Sequence, residues 1–138
     1  MAASPARVLI VEDDPDISLI ERVILERSGF TTTLARNGEM ALVMIERERP
    51  DAVVLDLTMP GSDGWSVLSS IVTSVEGPPV VVCSARGNAH DVERALSMGA
   101  FAFVAKPFDL EALVRSVTEA TGVRNELEGA DAAEFEPA

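Results

Sequence analysis

Five short apolar runs divide the chain: RVLIV (7–11), FTTTLA (30–35), AVVLD (52–56), PVVVCS (79–84) and AFAFVA (100–105). Helical patterns occupy 15–28, 38–49, 64–74 and 89–98, and a fifth follows the last run at 110–120. Strands that alternate with helices predict a parallel sheet, because parallel neighbours need crossovers and the crossover helices cover both faces. The first helix places Ile17, Ile20, Ile24 and Leu25 on one face and stops at Ser28-Gly29. The second carries Met40, Ala41, Met44 and Ile45 and stops at Pro50. Runs one, three and four are almost purely apolar and belong in the middle of the sheet. Run two alternates threonines with apolar residues, which suits an edge.

Five such units predict an α/β fold: a doubly wound five-stranded parallel sheet of order 2-1-3-4-5, a flavodoxin-like three-layer sandwich. At 138 residues and 47% hydrophobic composition, the chain can fill the core of one such domain. Ligands of doubly wound sheets bind outside the carboxyl ends of the strands. Here run one ends in Glu12-Asp13-Asp14, run three in Asp56, run four in Ser84-Ala85, and run five in Lys106-Pro107. Several acids, a hydroxyl and a lysine therefore share one sheet edge.

Clustered carboxylates raise one another's pKa unless a cation joins them, and an all-oxygen donor set favours a hard ion such as Mg²⁺. A carboxylate can attack phosphorus, a metal and a lysine can neutralise the developing charge, and a serine hydroxyl can hydrogen-bond a phosphoryl oxygen. The parts of a phosphoryl-accepting site are thus all present. Lys106 is the only lysine, against ten arginines. A compact ammonium suits a crowded phosphate pocket better than a planar fork.

Plainer roles fit several neighbours. Asp14 before Pro15 reads as a helix N-cap. Cys83 reads as a small core thiol, His90 as a surface residue in a polar helix start, and Trp65 as packing the start of the third helix. Asp109 can cap the last helix, with Phe108 stapled onto Leu113.

Net charge is −12, which disfavours direct binding to nucleic acid. Residues 122–138 hold five acids against one arginine and read as a solvated, disordered tail. No apolar run approaches the ~18 residues that span a bilayer. The single cysteine excludes an internal disulfide and fits a reducing cytoplasm.

The segments RVLIVEDDPDI, VVLDLTMPGSDGW, VVCSA and FVAKPF, in this order and spacing, resemble the receiver domain of two-component response regulators over about residues 6–121. The resemblance implies that Asp56 is the phosphoacceptor, with Ser84 and Lys106 assisting. It implies Mg²⁺ held by Asp13, Asp56 and the backbone carbonyl of Thr58, with Glu12 acting through water. Ser84 and Phe103 occupy the switch positions, and a phenylalanine there carries no hydroxyl to report outward. Thr58 and Arg86 flank the site. A chain of this kind takes its phosphoryl group from a histidine kinase or phosphotransfer protein, hydrolyses it slowly, and signals to an output protein. It modifies itself and is not a conventional turnover enzyme.

Two departures bear on assembly. Many DNA-binding relatives carry an acidic pair after the Gly-Ala that opens the fifth strand, where this chain has Phe101-Ala102. Residues 122–138 read as a tail and not as an output domain. The expectation is a stand-alone cytoplasmic monomer; the alternative is the N-terminal receiver piece of a DNA-binding transcriptional regulator. A phosphatase of the haloacid dehalogenase type fits less well, because Thr58 stands where its second aspartate belongs. A binding-only pseudo-receiver is disfavoured by the complete set of Glu12, Asp13, Asp56, Ser84 and Lys106.

Overall fold

The computed structural model describes residues 5–61, 63–85, 88–106 and 109–128, the last six by backbone only. Five strands, β1 (Arg7–Val11), β2 (Thr31–Ala35), β3 (Ala52–Leu55), β4 (Val80–Ser84) and β5 (Ala102–Ala105), alternate with α1 (Pro15–Arg27), α2 (Gly38–Glu48), α3 (Gly64–Val72), α4 (Ala89–Ser97) and α5 (Leu110–Glu128). All strand pairs are parallel and the order is β2-β1-β3-β4-β5, the arrangement expected for five such units. The register aligns Val11 with both Ala35 and Leu55, and Ser84 with Ala105.

Alternate strand residues serve opposite faces. Leu9, Val11, Val53, Leu55, Val80 and Val82 pack with Ala41, Leu68, Ile71 and Ala95 from α2, α3 and α4. Val8, Ile10, Val54, Val81, Cys83 and Val104 pack with Leu25, Leu113, Val117 and Ala120 from α1 and α5. A sheet buried on both faces explains why its central strands read as unbroken apolar runs.

The caps agree with the sequence. The Asp14 carboxylate accepts from the amides of Asp16 and Ile17, with Pro15 in the first helical position. Asp63 and Asn88 cap α3 and α4, and Asp109 accepts from the amide of Ala112. Gly64, at the start of α3, passes so close to the Leu57 backbone that a Cβ would clash with it. This close approach folds the segment after β3 back over the sheet edge.

Two expectations need correction. Ile20 was expected on the buried face of α1, but it is 44% exposed while Ser18, Glu21 and Leu25 point inward. Apolar residues lie nearly all round this helix, at positions 17, 19, 20, 23, 24 and 25, so periodicity alone left its rotation open. The second concerns the tail expected from residue 122. The α5 backbone stays helical through Glu128, and residues 129–138 lie outside the described set. The proposed staple by Phe108 also lies outside the described residues. Phe101 precedes β5 as an exposed bend.

Candidate functional site

Backbone hydrogen bonds tie the carboxyl end of β1 to those of β3 and β2. The Asp56 amide donates to the Val11 carbonyl at 3.1 Å, and the Glu12 amide to the Ala35 carbonyl at 3.0 Å. Glu12, Asp13 and Asp56 consequently converge: one carboxylate oxygen from each lies within 4.8 Å of the others. Glu12 and Asp56 are buried and Asp13 is half-buried. At the end of β5 the Lys106 amide donates to the Ser84 carbonyl at 3.0 Å. This bond anchors the base of the Lys106 side chain. Its Nζ donates to Glu12 Oε1 at 2.8 Å and stands 3.5 Å from Asp56 Oδ2. The other Asp56 oxygen, Oδ1, accepts from the Thr58 amide at 3.0 Å.

Electrostatics follow from this crowding. Burial raises the Glu12 pKa and the Asp56 charge raises it further, against the hydrogen bond from Lys106. Burial alone would lower the Lys106 pKa, but the Glu12 hydrogen bond and the charges of Asp56 and Glu12 outweigh it, holding the pKa above its ordinary value. Among the described residues, one ammonium pairs with Glu12 and Asp56 while Asp13 adds a third carboxylate beside them, so acids outnumber bases there. An all-carboxylate pocket of this size suits a hard divalent cation.

Relief of that repulsion is measurable without a phosphodonor. Asp13→Ala is expected to weaken Mg²⁺ binding by more than about tenfold while raising the melting temperature of the metal-free protein by a few degrees. Calorimetric titration and thermal melts in chelator check both. A fall in metal-free stability would show that the Asp13 carboxylate supports the fold instead.

Of the other expected residues, Ser84 ends β4 fully buried, and its Oγ lies 3.1 Å from Thr58 Oγ1. Phe103 is half-buried against the core layer beneath α2, α3 and α4. Cys83 is buried on the opposite layer, His90 is exposed, and Trp65 packs under Arg94 of α4, whose guanidinium carbon is 4.0 Å from the ring centroid. Arg86 lies outside the described residues.

Sequence reasoning missed two contacts. Glu21 of α1 is 1% exposed, its Oε1 has no hydrogen-bond partner, and it sits against the Cys83 thiol. An acid inside an apolar helix normally faces water, so nothing in the spacing marked it. The Thr58–Ser84 hydroxyl pair joins residues 26 apart. Only the register of β3 and β4 brings them together.

Comparison with known proteins converges on one group. The model of the response regulator receiver domain matches residues 8–118. The chain is 37% identical over 125 residues to the DNA-binding response regulator MtrA of Mycolicibacterium smegmatis, covering 91% of this chain and 54% of that protein. It is 33% identical over 105 residues to sporulation initiation phosphotransferase F of Bacillus subtilis, covering 76% of this chain and 85% of that one. Among solved structures, the receiver domain of Francisella response regulator 1452 superposes with a TM-score of 0.81 at 28% identity, covering 86% of this chain and 98% of that one. The chain spans between about a quarter and about half the length of several of the regulators it matches.

Proposed function

The chain belongs to the response regulator receiver domain family, and from that premise we propose that it accepts a phosphoryl group on Asp56. The observation that carries this is the placement of the Asp56 carboxylate beside Lys106 Nζ, at 3.5 Å, within a cluster of two further acids.

In this reading a carboxylate oxygen of Asp56 attacks the phosphorus of a phosphohistidine. The new O–P bond forms as the P–N bond breaks, and that electron pair leaves with the imidazole. Acetyl phosphate reacts likewise, with acetate leaving. Water later attacks the phosphorus, releasing inorganic phosphate and restoring the carboxylate. Lys106 offsets charge on the phosphoryl oxygens, and the Thr58 amide orients Asp56 through Oδ1. Asp13, Asp56 and the Thr58 carbonyl would hold Mg²⁺, with Glu12 acting through water; when bound, the ion would supply charge neutralisation and orientation. Ser84 and Phe103 form the switch. Incubation with acetyl phosphate and Mg²⁺, read by intact-mass spectrometry, tests the proposal through the gain of one phosphoryl group.

The donor is a histidine kinase or phosphotransfer protein, and the site of action is the cytoplasm. No described helix is long and apolar enough to cross a membrane. The net charge of −12 argues against direct contact with nucleic acid. Phe101, 36% exposed before β5, is an apolar side chain available to an output partner.

The activated domain is expected to remain monomeric, because Phe101-Ala102 replaces the acidic pair and like charge opposes self-association. Light scattering with beryllofluoride at two salt concentrations checks this. A dimer at both salts would favour the second reading, a receiver piece of a DNA-binding regulator such as the longer relative MtrA.

A further inference from the structure

We propose that the groove between α2 and α3 docks a basic amphipathic helix of a partner protein.

Two cavities of about 510 and 520 Å³ lie end to end between these helices and share Leu42. One runs toward Arg49 and Gly77, the other toward Asn37 and Pro60. Together they follow α2, whose 11 residues span about 16 Å. Ser66, Ser70 and Ser74, from α3 and the turn after it, line the groove with side chains too short to fill it. Its apolar lining includes buried Ile71 and half-buried Ile45. Leu42, 37% exposed, and Val75, 91% exposed, add apolar surface open to water. A single exposed aliphatic residue needs no explanation, but apolar residues gathered along one groove mark a contact surface. None of Glu12, Asp13, Asp56 and Lys106 lines it, so binding here does not depend on the chemistry proposed for Asp56.

Charge selects the occupant. Glu39 and Asp63 line one cavity and Glu46 and Glu76 the other, against one guanidinium, that of Arg49. The guanidinium is already engaged by Glu76 at 3.9 Å. Glu39 and Glu46 are in no ion pair among the described residues. Acids beside an apolar groove complement a helix that carries lysine or arginine beside its apolar residues. The same charges disfavour the other occupants. A second copy of the chain brings a net charge of −12. The segment 129–138, GADAAEFEPA, brings three acids and no base.

An amphipathic leucine–lysine peptide of about 14 residues, long enough to cover the groove as a helix, is the probe. Titrated into isotope-labelled protein at physiological salt, it is expected to shift amide resonances of α2, α3 and the turn after α3. A leucine–glutamate peptide of the same pattern is expected to shift none. Ser70→Trp, which fills the groove, should weaken binding by at least about tenfold. Glu39→Gln combined with Glu46→Gln removes two exposed charges and should weaken it roughly two- to tenfold. Thermal melts establish which variants are folded, and the glutamine pair decides alone if the tryptophan variant is not. Shifts spread equally over α1, α4 and α5 would show diffuse attraction to an acidic protein and overturn the proposal. Absence of binding, equal binding of the leucine–glutamate peptide, or unchanged affinity in either folded variant would overturn it as well.

Discussion

Asp56→Asn is expected to remain folded and to take up no phosphoryl group from acetyl phosphate, where wild type gains one. An amide has no anionic oxygen with which to attack phosphorus, so the loss should be complete. The fold should survive because the local contacts do. An asparagine oxygen can still accept from the Thr58 amide, which now donates to Oδ1 at 3.0 Å. Lys106 keeps its 2.8 Å hydrogen bond to Glu12. The substitution also removes one of three converging carboxylates, which favours the metal-free state. Intact mass and a thermal melt on the same samples separate chemistry from folding. Equal labelling of wild type and mutant would move the phosphoryl group to another residue and dismantle the proposed site.

The site was legible because each of its parts interrupts an apolar run. Asp56 follows Val53-Val54-Leu55, and Glu12 and Asp13 follow Leu9-Ile10-Val11. A charge there is conspicuous because burying it unpaired is costly. The central places of β1, β3 and β4 and the edge place of β2 followed from the same runs, since a strand buried on both faces needs no alternation, whereas the full order rested on the common arrangement for five such units. Helix rotation was less legible. The α1 sequence offers apolar residues on nearly every side, yet the residues it buries beside Leu25 are polar, Ser18 and the acid Glu21. Side-chain pairs between elements were not legible either. Thr58 and Ser84 meet because β3 and β4 pair with Leu55 beside Val82, a register no local spacing encodes. The α5 boundary was misjudged because acidic composition marks solvation and does not by itself end a helix.

Glu21 yields the second large effect, and it concerns stability. The side chain is 1% exposed, and one of its carboxyl oxygens has no hydrogen-bond partner. Burial, and after it the Glu12 charge, push its pKa from 4.5 to about 8. Groups facing it include the Cys83 thiol from β4, held protonated by its own burial, and the Glu12, Asp56 and Lys106 charges from the ends of β1, β3 and β5. Because the folded pKa is the higher one, the native protein holds a proton that the unfolded chain releases between about pH 4.5 and 8. Stability from this group is therefore fully present below pH 4.5 and declines as pH rises through that window. The Glu12 carboxyl, also raised, adds to the decline in the same direction. Replacement by an apolar side chain of similar size removes the term. Glu21→Leu is expected to be more stable than wild type near pH 7.5 by on the order of 2–3 kcal/mol, with the advantage shrinking toward pH 5. Urea unfolding in chelator at several pH values measures this directly. A Glu21→Leu protein less stable than wild type across the range would mean that the carboxyl contributes contacts worth more than its ionisation costs. Parallel pH profiles for the two proteins would mean that Glu21 has the same pKa in the folded and unfolded states.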